Sequence, residues 1–159
     1  MKLPPHLLAA SASCLIAIAG FEGYRAAAYN DGVGVQTVGY GTTRYASGQV
    51  VRAGDRITPE RALIELGANV EKFEVEMRQC IGDIPLAQHE WDAFVSLAYN
   101  IGTGAFCRSS VVRNLHKQPP DYAAACAAIK LYNKAGGKIL RGLVIRREAE
   151  YKLCIGENL

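Results

Sequence analysis

Residues 58–77 carry the pattern that most restricts the fold. Thr58-Pro59-Glu60 reads as a helix start. The threonine caps, the proline takes the first position, and the glutamate meets the positive end of the helix dipole. Leu63, Leu66, Val70, Phe73 and Met77 then recur at steps of three and four, which makes one apolar stripe over about twenty residues. A helix of this length is expected to cross from one lobe of a small protein to the other, with Ile84-Pro85 ending the linker. The segments on its two sides differ. Residues 29–57 are rich in Gly, Val, Thr and Tyr; Val33, Val35 and Thr37 alternate, as do Val38 and Tyr40, and Ser47-Gly48 supplies a turn. A small antiparallel sheet is expected there.

The far side reads as helical. Trp91, Phe94, Val95, Ala98 and Ile101 share one face, and Leu97 and Tyr99 widen it, so a central, largely buried helix is expected, stopped by Gly102 and Gly104. Shorter helices are expected over 109–116, 121–133 and 140–154, with Pro119-Pro120 and Gly136-Gly137 as breaks. At the other end, residues 6–21 read as a helix behind Pro4 and Pro5, with Gly23 at its end. The fold class is therefore α+β and mainly helical. We expect a single domain over 1–159, with lobes at 1–57 and 81–159 and a linking helix over 58–80. A chain of 159 residues that is 50% apolar and 21% charged can bury such a core.

Two acids stand out. Glu22 closes the first apolar helical run, and Asp31 lies on a glycine-rich loop nine residues on, with Thr37 on the strand that follows. Carboxyl groups in unlike environments can hold different protonation states at one pH. That is the minimum equipment for acid-assisted cleavage of an acetal.

The spacing of Glu22, Asp31 and Thr37 resembles the catalytic signature of the phage-type lysozymes, the muramidases of glycoside hydrolase family 24. Val38-Gly39-Tyr40-Gly41 resembles the hairpin of that family. The run from Trp91 through Asn100, Gly102 and Gly104 to Phe106 resembles its central helix and the turn behind it. Ala135-Gly136-Gly137-Lys138, Gly142-Leu143 and Arg146-Arg147-Glu148 resemble its C-terminal signature. The likeness runs from about Ala17 to Cys154. It implies a lysozyme-like two-lobed fold and a peptidoglycan hydrolase (an endolysin) that cleaves the β-1,4 bond between N-acetylmuramic acid and N-acetylglucosamine. On this reading Glu22 is the general acid, while Asp31 and Thr37 orient water and stabilise the transition state. Partial desolvation beside Phe21 would favour a protonated Glu22, and an arginine partner, either Arg146 or Arg147, would oppose it. Direct attack by water gives inversion, which the resemblance favours. Tyr29, Tyr40 and Phe106 are candidates to line a sugar groove, or else core residues. Where many relatives carry His after the Gly-Tyr-Gly turn, this chain has Thr42.

The resemblance also implies a phage-encoded protein acting in the host periplasm on the bacterial cell wall, as a monomer. Residues 3–21 carry no formal charge. The apolar run over 7–21 would span roughly 22 Å as a helix, short of the ~30 Å hydrocarbon core. It is compatible with the weak signal-anchor of some endolysins, which associates transiently with the inner membrane. The alternative is a helix buried in the core.

Cys14, Cys80, Cys107, Cys126 and Cys154 allow fifteen arrangements of two disulfides and one thiol. The pairing expected of an extracytoplasmic protein is Cys80 with Cys107 and Cys126 with Cys154, each tying elements of the helical lobe. Cys14 is then the free thiol, a candidate for activating thiol exchange; five buried thiols are the alternative. The cysteines and His6, His89 and His116 show no metal-ligand spacing, so neither a metal nor another cofactor is expected, and a zinc amidase is disfavoured. Net charge is +3, with Lys130, Lys134, Lys138, Arg141, Arg146, Arg147 and Lys152 facing only Glu148 and Glu150. Such a surface suits an anionic polymer. No aromatic platform or phosphate cradle accompanies it, so nucleic acid is not the expected partner. The rivals are a lytic transglycosylase, which needs one acid alone, and a non-catalytic wall- or membrane-binding module.

Overall fold

The structure is a computed structural model that describes residues 1–31 and 34–157. The chain divides into two compact units: Leu15–Lys72, and Met1–Cys14 together with the residues from Phe73 onward.

In the unit of residues 15–72, helix α1 (Ala12–Glu22) leads into strands β1 (Arg25–Asn30) and β2 (Gln36–Gly39). The strands pair antiparallel, with Tyr29 opposite Thr37, Asn30 opposite Gln36, and a register shift between Arg25 and Tyr29. A further segment adds to β1: the Ala28 amide donates to the Asp55 carbonyl and the Ile57 amide to the Ala26 carbonyl. Of the alternating positions expected here, Val33 lies outside the described residues, Val35 precedes the strand and is exposed, and Thr37 and Val38 are buried. The expected Ser47-Gly48 turn sits in a loop closed by the Tyr45 amide on the Gln49 carbonyl. Glu65, fully buried on the next helix, holds this turn by accepting from the Ala46 amide, and Arg61 offsets its charge.

That helix, α2 (Pro59–Ile81), is a single element of 23 residues. Its buried stripe is Ala62, Leu66, Val70, Met77 and Ile81, while Leu63, expected in the stripe, is 44% exposed. The small Ala62 takes the inward place because β2 passes close by. A Cβ on Gly39 would lie 2.9 Å from the Ala62 Cβ, and Gly39 has φ of +65°. Glycine meets both demands at once. Val38, Val51, Ile57 and Ala62 form the local core, with Tyr24, Ala28, Tyr40 and Tyr45 packed against it.

The other unit is built around α3 (Gln88–Ile101), in which every residue from Glu90 to Ala98 is buried. Gly102 ends α3, as expected from the sequence, but Gly104 ends nothing: α4 (Thr103–Cys107) begins directly behind Gly102. Ser109 caps α5 (Ser110–Leu115) and Asp121 caps α6 (Tyr122–Ala128), each accepting from a backbone amide of the first turn. A short 3-10 turn follows over Ile129–Leu131. The Gly136-Gly137 break is the turn of a second hairpin, β3 (Lys134–Ala135) with β4 (Lys138–Ile139), and both glycines have positive φ. Helix α7 (Arg141–Cys154) ends the fold. Disulfides join Cys80 to Cys107 and Cys126 to Cys154, all within this unit.

The N-terminal helix starts later than the sequence suggests. Residues 6–21 were expected to be helical, but a 3-10 turn at Pro5–Leu7 gives way to extended backbone, and α1 begins only at Ala12. Side chains from α2 and α3 take the backbone groups that a helix would use. Arg78 donates to the Pro5 and Leu8 carbonyls, Gln88 donates to the Ala9 carbonyl, and Glu74 and Asp92 accept from the Ala10 and Ser11 amides. Ser11 then caps α1 by accepting from the Cys14 amide. Among the described residues, no helix is long and apolar enough to cross a membrane.

Candidate active site

Glu22, Asp31 and Thr37 all fall in the unit of residues 15–72. Glu22 is the last residue of α1 and is half-buried. Gly23 stops the helix there, with φ of +71° and its amide on the Ala19 carbonyl. The chain turns at once into β1, steadied by the Tyr24 hydroxyl on the Ile57 carbonyl at 2.6 Å.

Asp31 follows β1 and is exposed. Its backbone amide donates to the Val35 carbonyl at 3.0 Å, and its carboxylate accepts from the Val35 amide at 3.1 Å. Asn30 closes the same loop by accepting from the Gly34 amide. The Asp31 backbone is thus fixed while its side chain reaches solvent. Thr37 stands directly across from Tyr29 and is 5% exposed, and its hydroxyl has no hydrogen-bond partner among the described residues. Asp31 lies two residues beyond Tyr29, just past the end of β1. Sequence reasoning noted Thr42 only as a departure. It is fully buried, exchanges backbone hydrogen bonds with Val38, and also holds a hydroxyl without a partner among the described residues.

The other candidates divide. Tyr29 is 40% exposed, with the Arg25 guanidinium 5.6 Å from its ring centre. Tyr40 is half-buried and packs on Tyr24 with ring centres 5.6 Å apart. Phe106, open between groove and core in the sequence, is fully buried with its ring 6.2 Å from that of Phe94 and fills a core position.

Arg146 and Arg147 are buried as well, which removes them from the basic surface expected from the sequence. Both reach Glu150, with Nε–carboxylate distances of 3.0 and 2.8 Å. Ser96 donates to the same carboxylate, and Arg146 also donates to the Ser96 carbonyl. Burial pushes the Glu150 carboxyl above its usual range, while the two guanidiniums and the Ser96 hydroxyl pull the other way. This cluster is hidden in the sequence, because Glu150 reads there as a surface counter-charge. Glu74, which accepts from the Trp91 indole, is hidden in the same way.

Cys14 is buried, and its thiol donates to the Asp92 carbonyl at 3.4 Å. Burial, and then the negative charges of Asp92 and Glu74, push its pKa far up. A thiol so held is poor at exchange, because the thiolate is the nucleophile. No cluster of His, Cys, Asp and Glu suited to a metal occurs among the described residues. Two concavities, one lined by Lys117 to Ala123 and one by residues between Asn100 and Leu143, include none of the three candidate catalytic residues.

A small sheet beside one long helix, followed by a helical unit, places this chain among the lysozyme-like enzymes. The profile of the phage lysozyme family matches residues 19–150. The endolysin of Salmonella phage P22 is 37% identical over 115 residues, covering 72% of this chain and 77% of that protein. A SAR-endolysin of bacteriophage PS119 is 33% identical, covering 86% of this chain and 77% of its own length. The solved endolysin from Escherichia coli O157:H7 phage FAHEc1 superposes with a TM-score of 0.82 at 35% identity, covering 94% of each chain. The chain belongs to the phage lysozyme family and is a muramidase, a peptidoglycan hydrolase of the endolysin type.

Proposed function

We propose that this enzyme hydrolyses the β-1,4 bond between N-acetylmuramic acid and N-acetylglucosamine, with Glu22 as general acid. The observation that carries the assignment is the contrast between the two acids of one compact unit: Glu22 is half-buried at a helix end, and Asp31 is exposed on a pinned loop. A partly desolvated carboxyl is the better proton donor to a leaving oxygen, and a solvated one is the better anion beside an oxocarbenium-like transition state. Thr37 supports the role of water. Its buried hydroxyl, without a protein partner among the described residues, is suited to hold one water near Asp31. Attack by that water inverts the anomeric carbon. Tyr29 is the ring on this hairpin best exposed to stack on a sugar face.

The test is clearing of chloroform-treated Gram-negative cells by wild type and Glu22→Gln. The variant should fold normally and lose about 100- to 10,000-fold in rate, the scale of a general acid. Unchanged clearing would remove Glu22 from the chemistry. Mass spectrometry of the products separates hydrolysis, which leaves a reducing muramic acid, from the anhydro sugar of a transglycosylase.

We also propose that residues 7–21 serve as a weak, releasable signal-anchor for export to the periplasm. The uncharged stretch over 3–21 and the likeness to a SAR-endolysin support this reading. Fractionation of expressing cells tests it: protein confined to the cytosol at every time point would end the idea.

A further inference from the structure

Helix α7 is turned inside out. Its charged residues Arg146, Arg147 and Glu150 are buried, while Val144 and Ile145 in its first turns face solvent. Just before it and into its first turn, every residue from Lys134 to Gly142 is exposed. This stretch holds the second hairpin, and Ile139 at its end is 63% exposed. Leu140 lies one helical turn before Val144, whose amide bonds to its carbonyl, and Arg141 stands in the same relation to Ile145, 58% exposed. Exposed aliphatic side chains thus alternate with cations over a short span of chain.

The charge there has one sign. No acidic residue occurs between Asp121 and Glu148. Lys130 is paired with Glu148, but Lys134, Lys138 and Arg141 make no ion pair among the described residues. We infer that Lys134, Lys138 and Arg141, with Ile139, Leu140, Val144 and Ile145, form a docking surface for an anionic phospholipid membrane. Cations fringing branched aliphatic side chains match an interface where phosphate headgroups overlie hydrocarbon. A hydrated wall polysaccharide satisfies the cations but gives Ile139 and Ile145 nothing to bury against. A second copy of the chain would bring like charges together. This surface is separate from residues 7–21 in sequence, and its contribution does not depend on them.

The experiment is co-sedimentation of the full chain with vesicles made of equal parts phosphatidylglycerol and phosphatidylethanolamine, beside vesicles of phosphatidylcholine alone. Binding is expected on the anionic vesicles only and should weaken as salt rises. Each cation near the surface contributes about fivefold in partitioning, so Lys134→Ala with Lys138→Ala should lower binding roughly 30-fold. Ile139→Ser with Ile145→Ser should lower it about tenfold or more while the cations remain. All four positions are exposed, and thermal melting checks that both variants fold. Equal binding to both vesicle types would overturn the proposal. So would undiminished binding by both variants, which would move the membrane contact to another segment such as residues 7–21. Sedimentation with purified peptidoglycan but not with vesicles would assign the patch to the wall instead.

Discussion

Between Leu15 and Lys72, a hairpin is held by Val38, Val51, Ile57 and Ala62 with a fringe of half-buried tyrosines. From Phe73 onward, a helix buried along nine consecutive residues is surrounded by further helices, a buried ion cluster and two disulfides. The first region keeps Asp31 in solvent and leaves the Thr37 hydroxyl without a partner among the described residues. The second pairs its buried charges at close range and cross-links itself. A glycosidase draws on both behaviours: carboxyl groups in unlike surroundings, and a stable body that holds them there. The division predicts where reduction, mutation and pH should act.

Reduction should act most strongly, and only on the second region. The cystines span 27 and 28 residues of sequence. Loops of that size stabilise by about 3–4 kcal/mol each through restriction of the unfolded chain. Dithiothreitol should therefore lower the melting temperature sharply, and hydrogen exchange should rise first in α3 and α7. Equal loss of protection in β1 and β2 would erase the contrast. Next comes Glu150→Ala. It leaves Arg146 and Arg147 buried without the carboxylate between them, a change worth about 3–5 kcal/mol in urea unfolding. A loss below about 1 kcal/mol would mean that water already reaches the cluster.

The sheet region should respond to a smaller change. Gly39→Ala places a methyl group 2.9 Å from the Ala62 Cβ at a φ that alanine rarely adopts. The cost should be about 1–3 kcal/mol. Because β2 also carries Thr37, lytic rate should fall by more than global stability accounts for. A variant with wild-type clearing would show that the position of β2 does not matter to the site.

What the sequence disclosed follows from this same contrast. Periodic apolar runs disclosed α2 and α3, because burial of an apolar stripe leaves a mark at fixed spacing, whereas α7, which buries charges, was marked only by the glycine break before it. The acid-bearing hairpin was legible through its glycines and its Glu–Asp–Thr spacing. Long-range polar pairing left no such mark. Nothing in the run over 6–11 announces that Arg78, Gln88, Glu74 and Asp92 will take its backbone groups and delay α1. Leu63 and Ala62 exchanged places because a close strand favours the smaller side chain, a demand that exists only once β2 is placed. Phe106 reads equally well as groove or core, and the structure packs its ring against that of Phe94.

Cys14 carries the smallest expected effect, and its sign can be worked out. It lies in the stretch pinned by that polar network, and burial raises its pKa from the ordinary 9.0. The folded state therefore holds its proton where the unfolded chain releases it. Below about pH 8 both states are protonated and the thiol adds no pH dependence. As pH rises past about 9, the unfolded state binds fewer protons, so stability falls. Lysines and tyrosines titrate nearby, so the informative quantity is the difference between wild type and Cys14→Ala. Urea midpoints at about pH 8 and pH 10 should show a steeper loss for wild type, by up to about 1.4 kcal/mol, the equivalent of one pKa unit. Alkylation by iodoacetamide should follow the same logic, slow in the native protein and fast in denaturant. Equal slopes for the two proteins, with rapid native alkylation, would mean that residues 8–14 open readily, and the network around Asp92 would then not be holding the segment in place.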